Sequence, residues 1–409
     1  MKFDNSPLYF IESSFKGNRV TLFELAIWKN GLPFRNIDFS STGKPIIKIA
    51  ELNNGLSANT SYTDKDYSND VYLTKGDYVF SWSGNPETSI DIFRYNLPDG
   101  WLNQHIFKVT PNESIVNREY FYYIMKFLKP QFKAIATNKQ TTGLGHITIA
   151  DLKRMSVILP PITIQTKIAS VLKAIDDKIS LNNEINNNLE QQAAAVFKSW
   201  FVDFKPFGGK VPKRWCNTIL EDLTTLVSRG ITPQYSNVSD QTVINQKCIR
   251  NHMIDLSLAR AHTPKVINEK WLHFGDLLIN STGEGTLGRT AQVWFRPQNL
   301  TVDSHVTIVR PAKENLTFYI GLWGILHESE IESLHTGSTG QTELPRDRIK
   351  SMELLLPDVE TLEHFNAVVA PMTATIVTNQ EENQKLSALR DTLLPKLMSG
   401  ELDVSDIDI

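Results

Sequence analysis

Gly283-Glu284-Gly285-Thr286-Leu287-Gly288 has the G-x-G-x-x-G spacing that, between a strand and a helix, lets backbone amides cradle a pyrophosphate. The residues that follow, Thr290-Ala291-Gln292-Val293-Trp294-Phe295, alternate in polarity and are β-rich, so a hairpin loop is expected there instead of a cofactor loop. No G-x-x-x-x-G-K-[ST] run occurs, which leaves nucleotide hydrolysis without its phosphate cradle. The nine histidines include no H-E-x-x-H pair, since His327-Glu328 leads to Ile331. His105 and His305 recur at a spacing of 200 in strand-like segments, where a structural hydrogen bond accounts for them. Cys216 and Cys248 are the only cysteines, too few for a zinc site and read as buried, reduced thiols. These residues predict neither a catalytic group nor a metal site.

The elements that carry these residues occur twice. Tyr72-Leu73-Thr74-Lys75-Gly76-Asp77-Tyr78-Val79-Phe80 returns as Trp271-Leu272-His273-Phe274-Gly275-Asp276-Leu277-Leu278-Ile279, an offset of 199. Thr142-Gly143 returns as Thr339-Gly340, Leu159-Pro160 as Leu356-Pro357 and Leu189 as Leu386, all at 197. One period near 200 in 409 residues means a single duplication, not a solenoid. Pro45–Ile49, Asp77–Trp82, Asp276–Asn280 and His305–Val309 read as strands, and Glu119–Leu128 and Phe318–His327 as helices at matching places. Each half is therefore expected to be α+β with a mostly antiparallel sheet.

A long helix is expected to close each half. After Leu159-Pro160-Pro161, apolar residues follow a heptad seam, Ile168, Ile175, Asn182, Leu189, Val196 in one row and Leu172, Ile179, Asn186, Ala193, Trp200 in the other. The second copy has Phe365, Met372, Asn379, Leu386, Leu393 and Val369, Ile376, Asn383, Arg390, Leu397. Both seams carry two Asn residues one turn apart. A core Asn costs stability but fixes register, so Asn182, Asn186, Asn379 and Asn383 are expected to set an antiparallel pairing of the two helices. About 40 residues at 1.5 Å each make a rod of roughly 60 Å, which predicts two similar heads held apart by a ruler.

The composition is that of an ordinary folded protein, 41% hydrophobic and 21% charged, with a formal net charge of −3. At about 150 residues per domain, the length suggests two or three domains. No apolar run approaches the roughly 18–20 residues of a membrane span, and Met1-Lys2-Phe3-Asp4-Asn5 is no secretory signal, so a cytoplasmic protein is expected. The acidity is uneven: residues 1–356 carry 39 basic and 35 acidic side chains, whereas residues 357–409 carry 3 and 10. The last helix and tail are suited to a protein partner, and the rest can approach phosphate.

Phe197-Lys198-Ser199-Trp200-Phe201-Val202-Asp203-Phe204 resembles the central signature of the specificity subunits of type I restriction–modification enzymes, and Val211-Pro212-Lys213-Arg214-Trp215, which follows, resembles the P-x-x-W opening of the family's second recognition domain. Leu393-Leu394-Pro395-Lys396-Leu397-Met398-Ser399-Gly400-Glu401-Leu402 is similar to the family's closing signature, and Leu159-Pro160-Pro161-Ile162 with Gln165 and Ile168 to its helix start. The second copy departs from this start, with Asp358-Val359 after Pro357 and Leu362 where Gln165 would recur. The resemblance covers nearly the whole chain. It implies two target recognition domains, residues 1–160 and 206–356, separated by two long conserved helices in residues 161–205 and 357–409 that pair as an antiparallel coiled coil. Each domain would read one half of a split, asymmetric double-stranded DNA site. Two modification subunits using S-adenosylmethionine would dock on the helices to methylate adenine, joined by restriction subunits using ATP and Mg. The chain itself would hold no cofactor and contact no membrane.

Reading bases in the major groove needs Arg, Lys, Asn, Gln, Ser or Thr on loops. In the first half Ser81, Ser83, Lys139, Gln140, Thr141 and Thr142 fit this requirement, and Trp82 is nominated with them as part of the same loop. In the second half Arg229, Thr232, Asn280, Ser281, Thr282, Arg289, Ser338, Thr339 and Gln341 do. The Gly76-Asp77 and Gly275-Asp276 turns are expected to position the loops rather than touch DNA. Two other classes remain open, a self-contained DNA-modifying enzyme and a coiled-coil scaffold with no DNA role. The first would need an Asn/Asp-Pro-Pro-Tyr/Phe motif, but the only Pro-Pro is Pro160-Pro161.

Overall fold

The computed structural model describes all residues except 1–8, 12, 140–143, 237, 264, 266, 284, 338–341, 408 and 409. It comprises two compact units. The first is Met1–Ile179 with Gln384–Ile409, and the second is Ser180–Asn383.

The main sheet of the first unit has the strand order Ala26–Asn30, Ile106–Pro111, Tyr78–Ser81, Asp91–Arg94, antiparallel throughout. The second unit repeats it with Thr224–Arg229, Val306–Pro311, Leu277–Asn280 and Thr290–Gln292. The two strands that follow the Gly-Asp turns are apolar at successive positions because both of their faces are buried. Tyr78 and Phe80 enter one core while Val79 enters another, and Leu277 and Ile279 part from Leu278 in the same way. The helices Arg118–Phe127 and Thr317–Leu326 cover one face, with Phe121 and Phe80 in one shared core in the first unit and Tyr319 and Leu277 in another in the second. A second sheet, of four strands in the first unit and three in the second, lies on the other face and includes parallel pairing: Lys44–Ile47 runs parallel to Gly100–Leu102, and Thr242–Ile244 to Leu300–Val302.

Each unit is also closed by a two-stranded ribbon. Asn18–Thr21 pairs with Ser156–Leu159, and Cys216–Ile219 with Glu353–Leu356, so the segments that open and close the unit lie side by side.

Three expectations are corrected. The strand expected over Pro45–Ile49 stops at Ile47, because Ile49 opens the helix Ile49–Asn54, whose Glu51 accepts the Lys48 amide at 3.0 Å. His105 and His305 lie in the turns before their strands, not in the strands. Cys216 is exposed because it sits at the outer end of the ribbon; Cys248 is buried, and burial pushes its thiol pKa up.

The long helices are Ile162–Phe197, continued by a π-helical turn at Lys198–Val202, and Val359–Ser399. In the first unit Ile168, Leu172 and Leu397 share one core, and Asp176 binds Arg390 at 3.1 Å. In the second unit Ala193, Phe197, Phe365 and Val369 share another. There Asn182 Nδ2 donates to Glu382 Oε2 (2.8 Å) and Asn383 Oδ1 (2.9 Å), and Asn379 Nδ2 donates to Asn186 Oδ1 (2.8 Å). Partners whose numbers run in opposite directions define an antiparallel pair. The irregular second helix start is also explained. Gln165 bridges Asn117 and Pro160 in the first unit, whereas Leu362 is simply buried and Asn366 reaches the Asn315 carbonyl instead. Among the described residues no helix is long and apolar enough to cross a membrane.

Candidate nucleic-acid interface

The loop cluster begins at the Gly-Asp turn. Gly76 and Gly275 adopt φ of 98° and 89°, which favours glycine. Asp77 accepts the Thr74 amide and pairs with Lys108 at 2.9 Å. Asp276, side chain 1% exposed, accepts the His273 amide and binds Arg310 through both oxygens at 2.8 and 2.7 Å. The turn is thereby tied to the neighbouring central strand, as its structural reading requires.

At the far end of the same strands, three segments meet in each unit. In the first, Ser83-Gly84 pairs with Gly145-His146, and the Trp82 amide donates to the His105 carbonyl at 3.3 Å. In the second, Thr282 bridges to Glu343, and the Ser281 amide donates to the His305 carbonyl at 2.8 Å. The preceding edge strand arrives beside the histidine turn at a glycine. A Cβ on Gly31 would lie 2.1 Å from the Asn103 carbonyl oxygen, and one on Gly230 1.9 Å from that of Val302. Both positions therefore require glycine.

The nominated side chains divide by burial. Ser81, Asn280 and Ser281 are fully buried, so they hold the loop from inside and cannot meet a ligand. Ser281 shares a 2.5 Å hydrogen bond with Thr307, and Asn280 Nδ2 donates to the Gln246 carbonyl. Trp82 is half-buried, stacked on Phe107 and bonded through Nε1 to Asn30. Ser83 and Thr282 are half-buried in the pairing segments, and Thr232 is exposed. Three cations are held by internal acceptors. Arg229 pairs with Glu343 at 2.8 Å and donates to the Leu344 carbonyl, Arg289 donates to the Gly285 carbonyl, and Lys139 pairs with Asp151. Burial works against the Asp151 carboxylate, but bonds from Lys139 and Thr148 prevail and hold its pKa below the usual range. Gln140, Thr141, Thr142, Ser338, Thr339 and Gln341 lie outside the described residues.

Two residues expected to serve structural hydrogen bonds make them, His105 with Gln104 and His305 with Thr282, and also reach the surface. His105 and His305 are exposed at the centre of their clusters, beside Trp82 and Thr282 respectively. Their recurrence was the available signal. Among the described residues no group of three or more His, Cys, Asp or Glu could hold a metal ion.

The duplicated units and their loop clusters define a protein of two similar α+β domains. Residues 19–191 match the family described as the type I restriction modification DNA specificity domain. The specificity subunit of the type I restriction enzyme MjaIX from Methanocaldococcus jannaschii is 26% identical over 387 residues, covering 84% of this chain and 87% of that protein. That of HindI from Haemophilus influenzae is 23% identical over 411 residues, covering 81% and 87%. The crystal structure of the type I restriction–modification S subunit from M. genitalium superposes with a TM-score of 0.56 at 14% identity, covering 99% of both chains, and so shares the fold. Over most of its length the chain is thus similar to type I restriction–modification specificity subunits.

Proposed function

We propose that this chain is the non-catalytic, sequence-reading component of a cytoplasmic type I complex, each unit reading one half of a split, asymmetric DNA site. The observation that carries this reading is that one loop cluster occurs twice on the same strand order with different side chains, Trp82 and His146 in one copy, Ser281 and Glu343 in the other. Two unlike readers on like scaffolds suit a non-palindromic site. The paired helices would set the unread spacer and receive two modification subunits, the source of S-adenosylmethionine chemistry; restriction subunits would bring ATP and Mg. With the nominated cations Lys139, Arg229 and Arg289 already held by internal acceptors, the chain alone would neutralise few phosphates, so its DNA affinity would depend on those partners.

The test is expression with a modification subunit followed by mapping of methylated adenines. A gapped, two-part motif is expected. Absence of any motif would favour a scaffold, and methyl transfer by the purified chain alone would favour a self-contained enzyme. Exchanging residues 206–356 for another recognition domain should alter one half of the motif only. Deleting seven residues, two helical turns, after Ile179 should shorten the spacer or abolish binding.

A further inference from the structure

We propose that His305 and His105 are base-reading side chains, one for each half of the site; the inference rests on the two-part reading above and names residues within it. Three observations converge. First, each imidazole is exposed although the next residue, Ile106 or Val306, is fully buried, so the ring stands out of the turn at the point where the chain enters the core. Second, the backbone beneath each ring is clamped twice, by the glycine approach of Gly31 or Gly230 and by the bond from the Trp82 or Ser281 amide to the histidine carbonyl. The Asp303 carboxylate adds a third clamp at the second copy, accepting the His305 amide at 2.9 Å. Third, one ring nitrogen is engaged locally and the other has no partner among the described residues. His305 Nδ1 meets Thr282 Oγ1 at 2.6 Å, leaving Nε2; His105 Nε2 meets Gln104 Nε2 at 3.2 Å, leaving Nδ1.

A ring of fixed position with one open nitrogen suits base-edge recognition, which needs geometry, more than phosphate contact, which needs only charge. It can offer a donor or an acceptor according to its tautomer. The two copies expose different nitrogens on different neighbours, so one residue type would serve two half-sites.

The experiment exploits shape. An Asn amide can occupy the place of Nδ1, and a Gln amide can reach that of Nε2. With the full-length chain expressed beside a modification subunit, His305→Gln should keep the base preference of its half-site. His305→Asn, which keeps the Thr282 contact but loses the reach, should relax the preference about fivefold at one or two positions. His105→Ala should relax the other half alone. The reverse order, with Asn neutral and Gln damaging, would show that the ring only holds Thr282 and would overturn the proposal. So would equal weakening at all sequences, which marks a phosphate contact, or relaxation of both halves by one variant. Urea unfolding should place both His305 variants at the wild-type midpoint; destabilisation of both makes the ring part of the packing and also refutes it. If the wild-type chain gives no two-part motif, the functional reading itself fails, and this outcome is distinct from the others.

Discussion

Replacing Asn186 and Asn379 separately and together by Leu should expose a strong coupling between them. Asn379 Nδ2 donates to Asn186 Oδ1 at 2.8 Å, and the two residues are only 9% and 4% exposed. Asn379→Leu removes a bond worth about 1 kcal/mol net and leaves a buried carbonyl oxygen unsatisfied, which costs about 1–3 kcal/mol. Burying the new Leu returns about 1.5–3 kcal/mol, so each single variant should unfold near the wild-type midpoint. The double variant leaves no orphaned group and buries two Leu side chains, so it should be more stable by about 2–4 kcal/mol. Replacing Asn182 together with Asn379, the pair that the repeat alone suggests, should do no such thing. Those residues bond Asn383 and Asn186 respectively, so both bonds break and both partners are stranded. Urea unfolding of the full-length chain measures all five proteins. If the Asn186 and Asn379 effects add within about 0.5 kcal/mol, the two amides do not act as a pair and the register argument falls with them.

Arg310→Met leaves Asp276 buried without its cation and should cost about 3–5 kcal/mol, whereas Lys108→Met at the more open first-unit pair should cost about 1 kcal/mol; urea midpoints compare them. Gly230→Ala should displace the turn carrying His305 and abolish recognition of one half-site, read from the methylated motif, because the new Cβ would lie 1.9 Å from the Val302 carbonyl oxygen. Burial on the first long helix pushes the Glu190 carboxyl up to about 6. A carboxyl whose folded pKa exceeds its unfolded one contributes stability below the unfolded pKa and loses it as pH rises through the folded one. Glu190→Gln should therefore add about 1 kcal/mol at pH 8, allowing for partial solvation, and nothing at pH 4, by denaturation at both pH values.

Features that leave a periodic trace were legible. The strands after Gly76-Asp77 and Gly275-Asp276 announce themselves as short unbroken apolar runs behind a turn, and the seam from Ile168 to Trp200 because its apolar positions repeat every seven residues. The loop cluster was legible only as a set of polar segments. Its closure depends on two-residue contacts such as Ser83 with His146 and Thr282 with Glu343, too short to carry a pattern and far apart in the chain. Lys139 and Arg229 looked like free cations for the same reason: a sequence shows a charge but not the acid that holds it. Asn182 and Asn379 could be placed on the seam, yet their partners depend on the stagger between helices, which heptad positions leave open.

The ribbons Asn18–Thr21 with Ser156–Leu159 and Cys216–Ile219 with Glu353–Leu356 bear on how such a protein changes over generations. Chain that leaves and returns through adjacent hydrogen-bonded strands behaves as an insert with a fixed base. Its interior can be lengthened, shortened or replaced wholesale while the two ends still meet at the same backbone contacts. The helices then experience no mechanical difference between one insert and another. If each unit reads one half-site as proposed, a single recombination event across such a base would deliver a new half-specificity already folded and already mounted.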